Sequence, residues 1–249
     1  MRKILIFALL TLSLWGMSNY DVAKKSDKVM RGFKDSKSDM IMTLINANGQ
    51  KRERKMSMLV LEKKGGDKSL MTFLSPADVK GTKFLSYSHI KKDDDQWLYL
   101  PALKRIKRIA SKNKSGSFMG SEFSYEDLGS FDVDKYTYKG DPKISTYKGK
   151  KVYIGERIPV TKNSGYTKQK SWIEKKTFLT LKVEYYDRKH ELLKTAYFHD
   201  YKKLSGIWRV GKMHMINHQN DKETILVWKN ESIKNGIKEK KFHKRVLKK

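Results

Sequence analysis

The chain has 249 residues, no cysteine, and 55 lysines and arginines against 27 aspartates and glutamates, a formal charge of +28. That length suits a single core, and the lack of cysteine excludes disulfides, thiolate metal sites and a thiol nucleophile. So basic a surface either attracts polyanions, such as nucleic acid, anionic headgroups or acidic sugars, or simply carries solvated lysines.

Residues 1–18 read as a cleavable export signal: Arg2 and Lys3, the apolar run "ILIFALLTLSLW", then small residues ending at Ser18. The run falls short of the roughly 20 apolar residues that span a bilayer. No cysteine follows it to carry a lipid anchor, so residues 19–249 are expected to form one exported, soluble domain. Val22, Ser26, Val29 and Phe33 recur at helical spacing behind Asn19, which can serve as N-cap.

Beyond this helix the period changes to two. Runs at 40–47 and 55–61 flank Asn48-Gly49 as a hairpin. "SLMTFLSP", "GTKFLSYSHI", "QWLYL" and "RIKRIA" follow, the last two joined by a turn led by Pro101. Six further runs, from "KKVYIGERIPV" to "ETILVWKNESI", are separated by short polar turns. The fold class is therefore mainly β with some α (α+β): roughly ten or more antiparallel strands that must curl or close. The basic tail "KEKKFHKRVLKK" reads as a last strand or an arm.

Motifs for catalysis are sparse. The six histidines are scattered; His214 and His218 are about 13 Å apart along one strand, too far to share a metal. No nucleophile elbow, Walker loop or dinucleotide fingerprint is present. Asp93, Asp94 and Asp95 lack the spacing of a calcium loop and read as a solvated turn. No enzyme, cofactor or metal site is expected. The chain has soft apolar surface instead. Met40, Met42, Met56 and Met58 alternate on the first hairpin, with Phe73, Phe84, Trp97 and Tyr99 on the strands after it. They can line a face that accepts apolar ligands, or serve as ordinary core under the helix.

"WLYL", "YYD" with its flanking Val183, and "AYF" are apolar on both faces, so the sheet needs cover on two sides or wraps around something. One short helix cannot cover so many strands. The stretch "SGSFMGSEFSYEDL" offers Phe118, Met119, Phe123, Tyr125 and Leu128 as a lid over an apolar cavity, its turn and movement permitted by Gly116 and Gly120. A fixed loop pinned by its aromatics is the alternative. Arg105, Lys107 and Arg108 stand just before it as a rim for an anionic headgroup.

"DQWLYLPALKRIKRI", "SGSFMGSEFSYEDL", "VEYYDRKHELLK" and "IWRVGKMHMIN" together resemble the LolA-like family of outer-membrane lipoprotein-sorting proteins, in the branch found beside resistance-nodulation-division exporters. His190 stands where a glycine is expected in the "YYD" turn. The resemblance implies a half-open antiparallel β-barrel with helices plugging its mouth, holding acyl chains in an apolar cavity in the Gram-negative periplasm. It implies a monomeric carrier of lipoprotein or lipid chains, with an inner-membrane exporter among its partners. The competing expectation is an envelope adaptor or sensor, which would have a dry interior and bind a protein. A nucleic-acid binder is disfavoured, because the basic residues are spread along every segment.

Overall fold

The computed structural model describes residues 16–248; the expected signal lies outside the described residues as far as position 15. Helix α1 spans Asn19–Lys28 and buries Val22, Ala23 and Ser26. Its N-cap is Ser18 rather than the expected Asn19: the Ser18 hydroxyl accepts from the backbone N–H of Asp21, whose carboxylate answers to the Ser18 N–H. Asn19 reaches outward instead, donating to the carbonyl of Lys139 at 2.8 Å. Gly155 lets the helix approach this closely, since a Cβ there would collide with Asn19 Oδ1.

The first half of the chain supplies β1 (Asp35–Ile45), β2 (Lys51–Leu61), β3 (Lys68–Ser75), β4 (Lys83–Tyr87), β5 (Asp95–Leu100) and β6 (Arg105–Ile109). The second supplies β7 (Tyr136–Tyr138), β8 (Lys143–Tyr147), β9 (Lys150–Pro159), β10 (Lys168–Glu174), β11 (Thr180–Tyr186) and β12 (Leu192–His199). It ends with β13 (Lys202–Leu204), β14 (Ile207–Arg209), β15 (Lys212–Asn217) and β16 (Lys222–Ile233). Fourteen of these form one antiparallel sheet in the order β6-β5-β4-β3-β2-β1-β16-β15-β12-β11-β10-β9-β7, with β8 also on β9. Two meanders thus run outward from a central β1–β16 seam. The sheet curves without closing, as the expected half-open barrel requires.

This topology fixes where the linker must go. β6 is one edge and β7 is at the other, yet they are consecutive in sequence. Residues 110–135 therefore have to traverse the sheet, and they do so over its concave face. The stretch 115–128 lies in the middle of this crossing. It forms a small folded loop with a Ser117–Ser124 bridge and a single 3-10 turn at Glu126–Leu128.

Alternation along the strands then builds two cores. The concave face holds Met40, Met42, Met56, Phe73, Phe84, Leu98, Val183, Tyr185, Met215 and Leu226 with Phe118 and Phe123 of the crossing segment. The convex face of β3 to β5 holds Leu70, Leu85 and Trp97 beneath Phe242 and Leu247. The basic tail is thus an arm, folded as two 3-10 turns on the back of the sheet. Glu239 clamps it to Lys63 at 2.8 Å and Lys68 at 2.7 Å.

Candidate functional site: an apolar cavity under a crossing segment

Five of the residues expected to line a cavity, Met40, Met42, Met56, Phe73 and Phe84, are buried on the concave face, and Met58 packs half-buried beside them. They are not open to a ligand. Phe118 lies 5.0 Å from the Phe84 ring and 6.0 Å from Phe73, with Tyr125 at 5.5 Å from Phe118, so the crossing segment fills this half of the concavity. Trp97 and Tyr99 require a correction. Trp97 pairs with Leu85 across the β4–β5 ladder, and both point to the convex side, where the tail covers them. A one-residue step along "QWLYL" separates that side from Leu98, which faces the concave core.

The lid expectation divides in the same way. Phe118 and Phe123 are fully buried, and Met119, Tyr125 and Leu128 pack half-buried around them. The segment is pinned by polar contacts at four places. Arg54 donates to the Met119 carbonyl at 2.6 Å, and Gln96 to the Tyr125 carbonyl at 2.8 Å. Thr224 accepts from the Glu122 N–H. Lys194 joins Asp127 at 2.6 Å, both side chains only 4% exposed, while Tyr166 donates to the other Asp127 oxygen at 2.8 Å. A buried ion pair with its spare oxygen satisfied is a costly feature to disrupt. The segment is therefore a seated plug; left-handed backbone at Met119 and Gly120 makes its turn.

The open volume lies beside the plug, over the other half of the sheet. A half-open cavity of about 370 Å³ is lined by α1, the chain just after it, residues 126–131 of the crossing segment and the strands β9 to β12 and β15. Its apolar wall comprises Met30, Phe33, Val183, Tyr185, Phe198 and Met213. Its charges are already engaged. Arg31 binds Asp67 at 2.8 Å, Asp27 at 3.2 Å and the Phe131 carbonyl at 2.7 Å. Arg209 meets Glu231 at 2.8 Å and lies over the Phe33 ring; Arg157 stacks on Phe131 and Tyr136. With Arg31 and Arg209 ion-paired and Arg157 stacked on its two rings, the apolar part of the wall can meet hydrocarbon.

A second cavity, of about 420 Å³, adjoins the first across a wall of Glu126, Lys135, Tyr136 and Gln169, which line both. Asp93 and Asp94 of the aspartate triplet line it, Asp95 begins β5, and all three carboxylates are engaged rather than solvated. Asp94 takes Lys135 at 2.9 Å and the His89 N–H; Asp93 accepts from Thr161 at 2.6 Å and Asn163 at 2.8 Å. Asp95 pairs with Arg108 at 2.6 Å. Burial, with a contribution from the Asp127 charge, pushes the Glu126 carboxyl up to about 7.

The rim residues sit on the edge strand β6. Arg105 and Lys107 pair with Leu100 and Leu98, so they share the concave side; Arg108 pairs with Trp97 and shares the convex side. They do not form one cluster. His214 bonds Glu223 and His218 bonds Thr195, and among the described residues no group of three His, Asp or Glu is placed to hold a metal. His190 adopts left-handed backbone at the "YYD" turn, where a glycine was expected. The cavity residues Met30, Phe198 and Met213 were not singled out from sequence, although the two-faced apolar character of "AYF" pointed to the strand of Phe198.

A family model for an uncharacterized protein matches residues 65–249. No curated protein matches the sequence. Among solved structures, an outer membrane lipoprotein-sorting protein domain from Vibrio parahaemolyticus is 47% identical, with 92% of this chain and 98% of that chain covered and a TM-score of 0.88. A DUF1329 family protein from Desulfovibrio piger is 34% identical over 92% and 97% of the two chains, with a TM-score of 0.86. A LolA superfamily protein from Nitrosomonas europaea, 16% identical over 93% of this chain and 100% of that one, shares the fold at a TM-score of 0.75. Identity of this extent over nearly whole chains means that the chain belongs to the family of the outer membrane lipoprotein-sorting protein domain and the DUF1329 protein, on a fold shared with the LolA superfamily structure.

Proposed function

We propose that the protein is a periplasmic carrier that shields the acyl chains of a lipoprotein or lipid in the 370 Å³ cavity and delivers them toward the outer membrane or an exporter. The observation that carries this reading is the half-open cavity beside α1 with the half-buried apolar side chains of Met30, Phe131, Phe198 and Met213 on its wall. Each methylene buried there contributes about 0.8 kcal/mol. Binding therefore needs no covalent chemistry, and release needs only an acceptor with more apolar area to offer. The dry, plugged half around Phe118 is what an adaptor would have throughout; the open half is what a carrier needs.

A fluorescent acyl probe, 11-(dansylamino)undecanoic acid, tests the reading. Wild-type protein is expected to enhance its emission, and Met213→Asp to abolish the enhancement without shifting the melting temperature by more than a few degrees. Equal enhancement in both proteins would remove this cavity from the site. Phe84→Asp is the contrasting variant: it places a charge in the filled half and is expected to unfold the protein.

A further inference from the structure

We propose that the second cavity is a phosphate-ester subsite, built to hold the anionic headgroup of the amphiphile whose chain occupies the first. The inference rests on the acyl-chain reading above and adds the class of headgroup. Five lysines line the cavity, Lys91, Lys92, Lys114, Lys135 and Lys162, against three carboxylates. The carboxylates are spent on the walls: Asp94 on Lys135, Asp93 on Thr161 and Asn163, and Glu126 on the Gly165 N–H at 2.9 Å. Lys114 and Lys135 are held by these walls too, Lys114 through the Asp94 carbonyl.

Lys91 and Lys162 are different. Among the described residues neither has an ion-pair partner, and Lys92 has only a 3.8 Å approach to Asp95. Uncommitted ammonium groups over a cavity of this size make a site for a compact anion, and a phosphate offers the several acceptor oxygens that rotating ammonium donors satisfy. The two cavities share Glu126, Lys135, Tyr136 and Gln169 as lining, which sets the lysine-lined cavity directly beside the chain cavity. Near and above neutral pH the Glu126 charge would oppose an anion there; near pH 6 that opposition falls away.

The test compares three probes below their aggregation limits by calorimetry: 14:0 lysophosphatidic acid, 1-monomyristoylglycerol with the same chain and no phosphate, and glycerol 3-phosphate with no chain. Wild-type protein is expected to bind the phosphate lipid at least tenfold more tightly than the neutral one. Lys91→Glu combined with Lys162→Glu is expected to erase that preference while leaving the neutral lipid's affinity and the melting temperature unchanged. Equal wild-type affinities for the two lipids would overturn the headgroup subsite and leave chain binding standing. Binding of neither lipid would overturn the carrier reading and this inference with it. Glycerol 3-phosphate bound as tightly as the phosphate lipid, through the same lysines, would make the site one for a free phosphate ester and overturn its link to the chain cavity.

Discussion

Lys194 and Asp127 meet at 2.6 Å with both side chains almost wholly buried, and Tyr166 completes the carboxylate's hydrogen bonds. Removing the cation alone leaves a buried, uncompensated carboxylate, so Lys194→Met is expected to cost about 3–5 kcal/mol in urea unfolding. A cost under ~1 kcal/mol would mean the pair is solvated. Glu126 predicts a pH dependence of defined sign. Its folded-state value near 7 lies above that of a free carboxyl, so the folded chain holds this proton more tightly than the unfolded one. This contribution is full below the free-carboxyl value of 4.5 and is lost as the pH rises from there through about 7, by on the order of 3 kcal/mol in all. Glu126→Gln is expected to flatten the melting temperature between pH 5 and pH 8, and an unchanged slope would exclude Glu126 as its source. At the helix start, Ser18→Ala is expected to cost about 1 kcal/mol by loss of the cap. Sequence put the cap at Asn19 because both residue types cap well; the choice depended on Lys139, which is 120 residues away and takes the Asn19 side chain.

Element by element, the strands were legible because two-residue alternation and turn residues are local signals. The Asn48-Gly49 turn and the Pro101 turn fall where they were expected, with left-handed backbone at Gly49 and Lys104. Which face an alternation buries is not local. "QWLYL" is apolar on both sides, and only the returning tail, through Phe242 and Leu247, decides that Trp97 faces the back of the sheet and Leu98 the front. Phe242→Ala is accordingly expected to cost about 3–5 kcal/mol while leaving acyl-probe binding intact, since Phe242 packs on the face opposite the cavity. Loss of probe binding in a folded Phe242→Ala protein would couple the two faces. The segment around Phe118 was recognisable as a cover from its aromatics, but its route was not: it follows from β6 and β7 lying at or near opposite edges of one sheet.

At the scale of the whole molecule, the curved sheet has more concave surface than one helix and one crossing segment can fill. The segment seats Phe118 and Phe123 among the methionines of β1 and β2, and the remaining concavity stays open beneath α1. The methionine-lined strands share the concave face with the proposed cavity but lie under the crossing segment. Their polarisable side chains pack against protein, while the half-buried Phe198 and Met213 on β12 and β15 face the open volume. The sheet thus has one half filled by the crossing segment and one half left with an open cavity, with the lysine-lined cavity against its wall. The most direct measurement is native mass spectrometry with lipid extraction on protein isolated without detergent. The account predicts a bound acylated species in the wild type that is lost in Met213→Asp and retained in Phe242→Ala. A bare polypeptide mass, unchanged after incubation with a phosphate-bearing single-chain lipid, would contradict it.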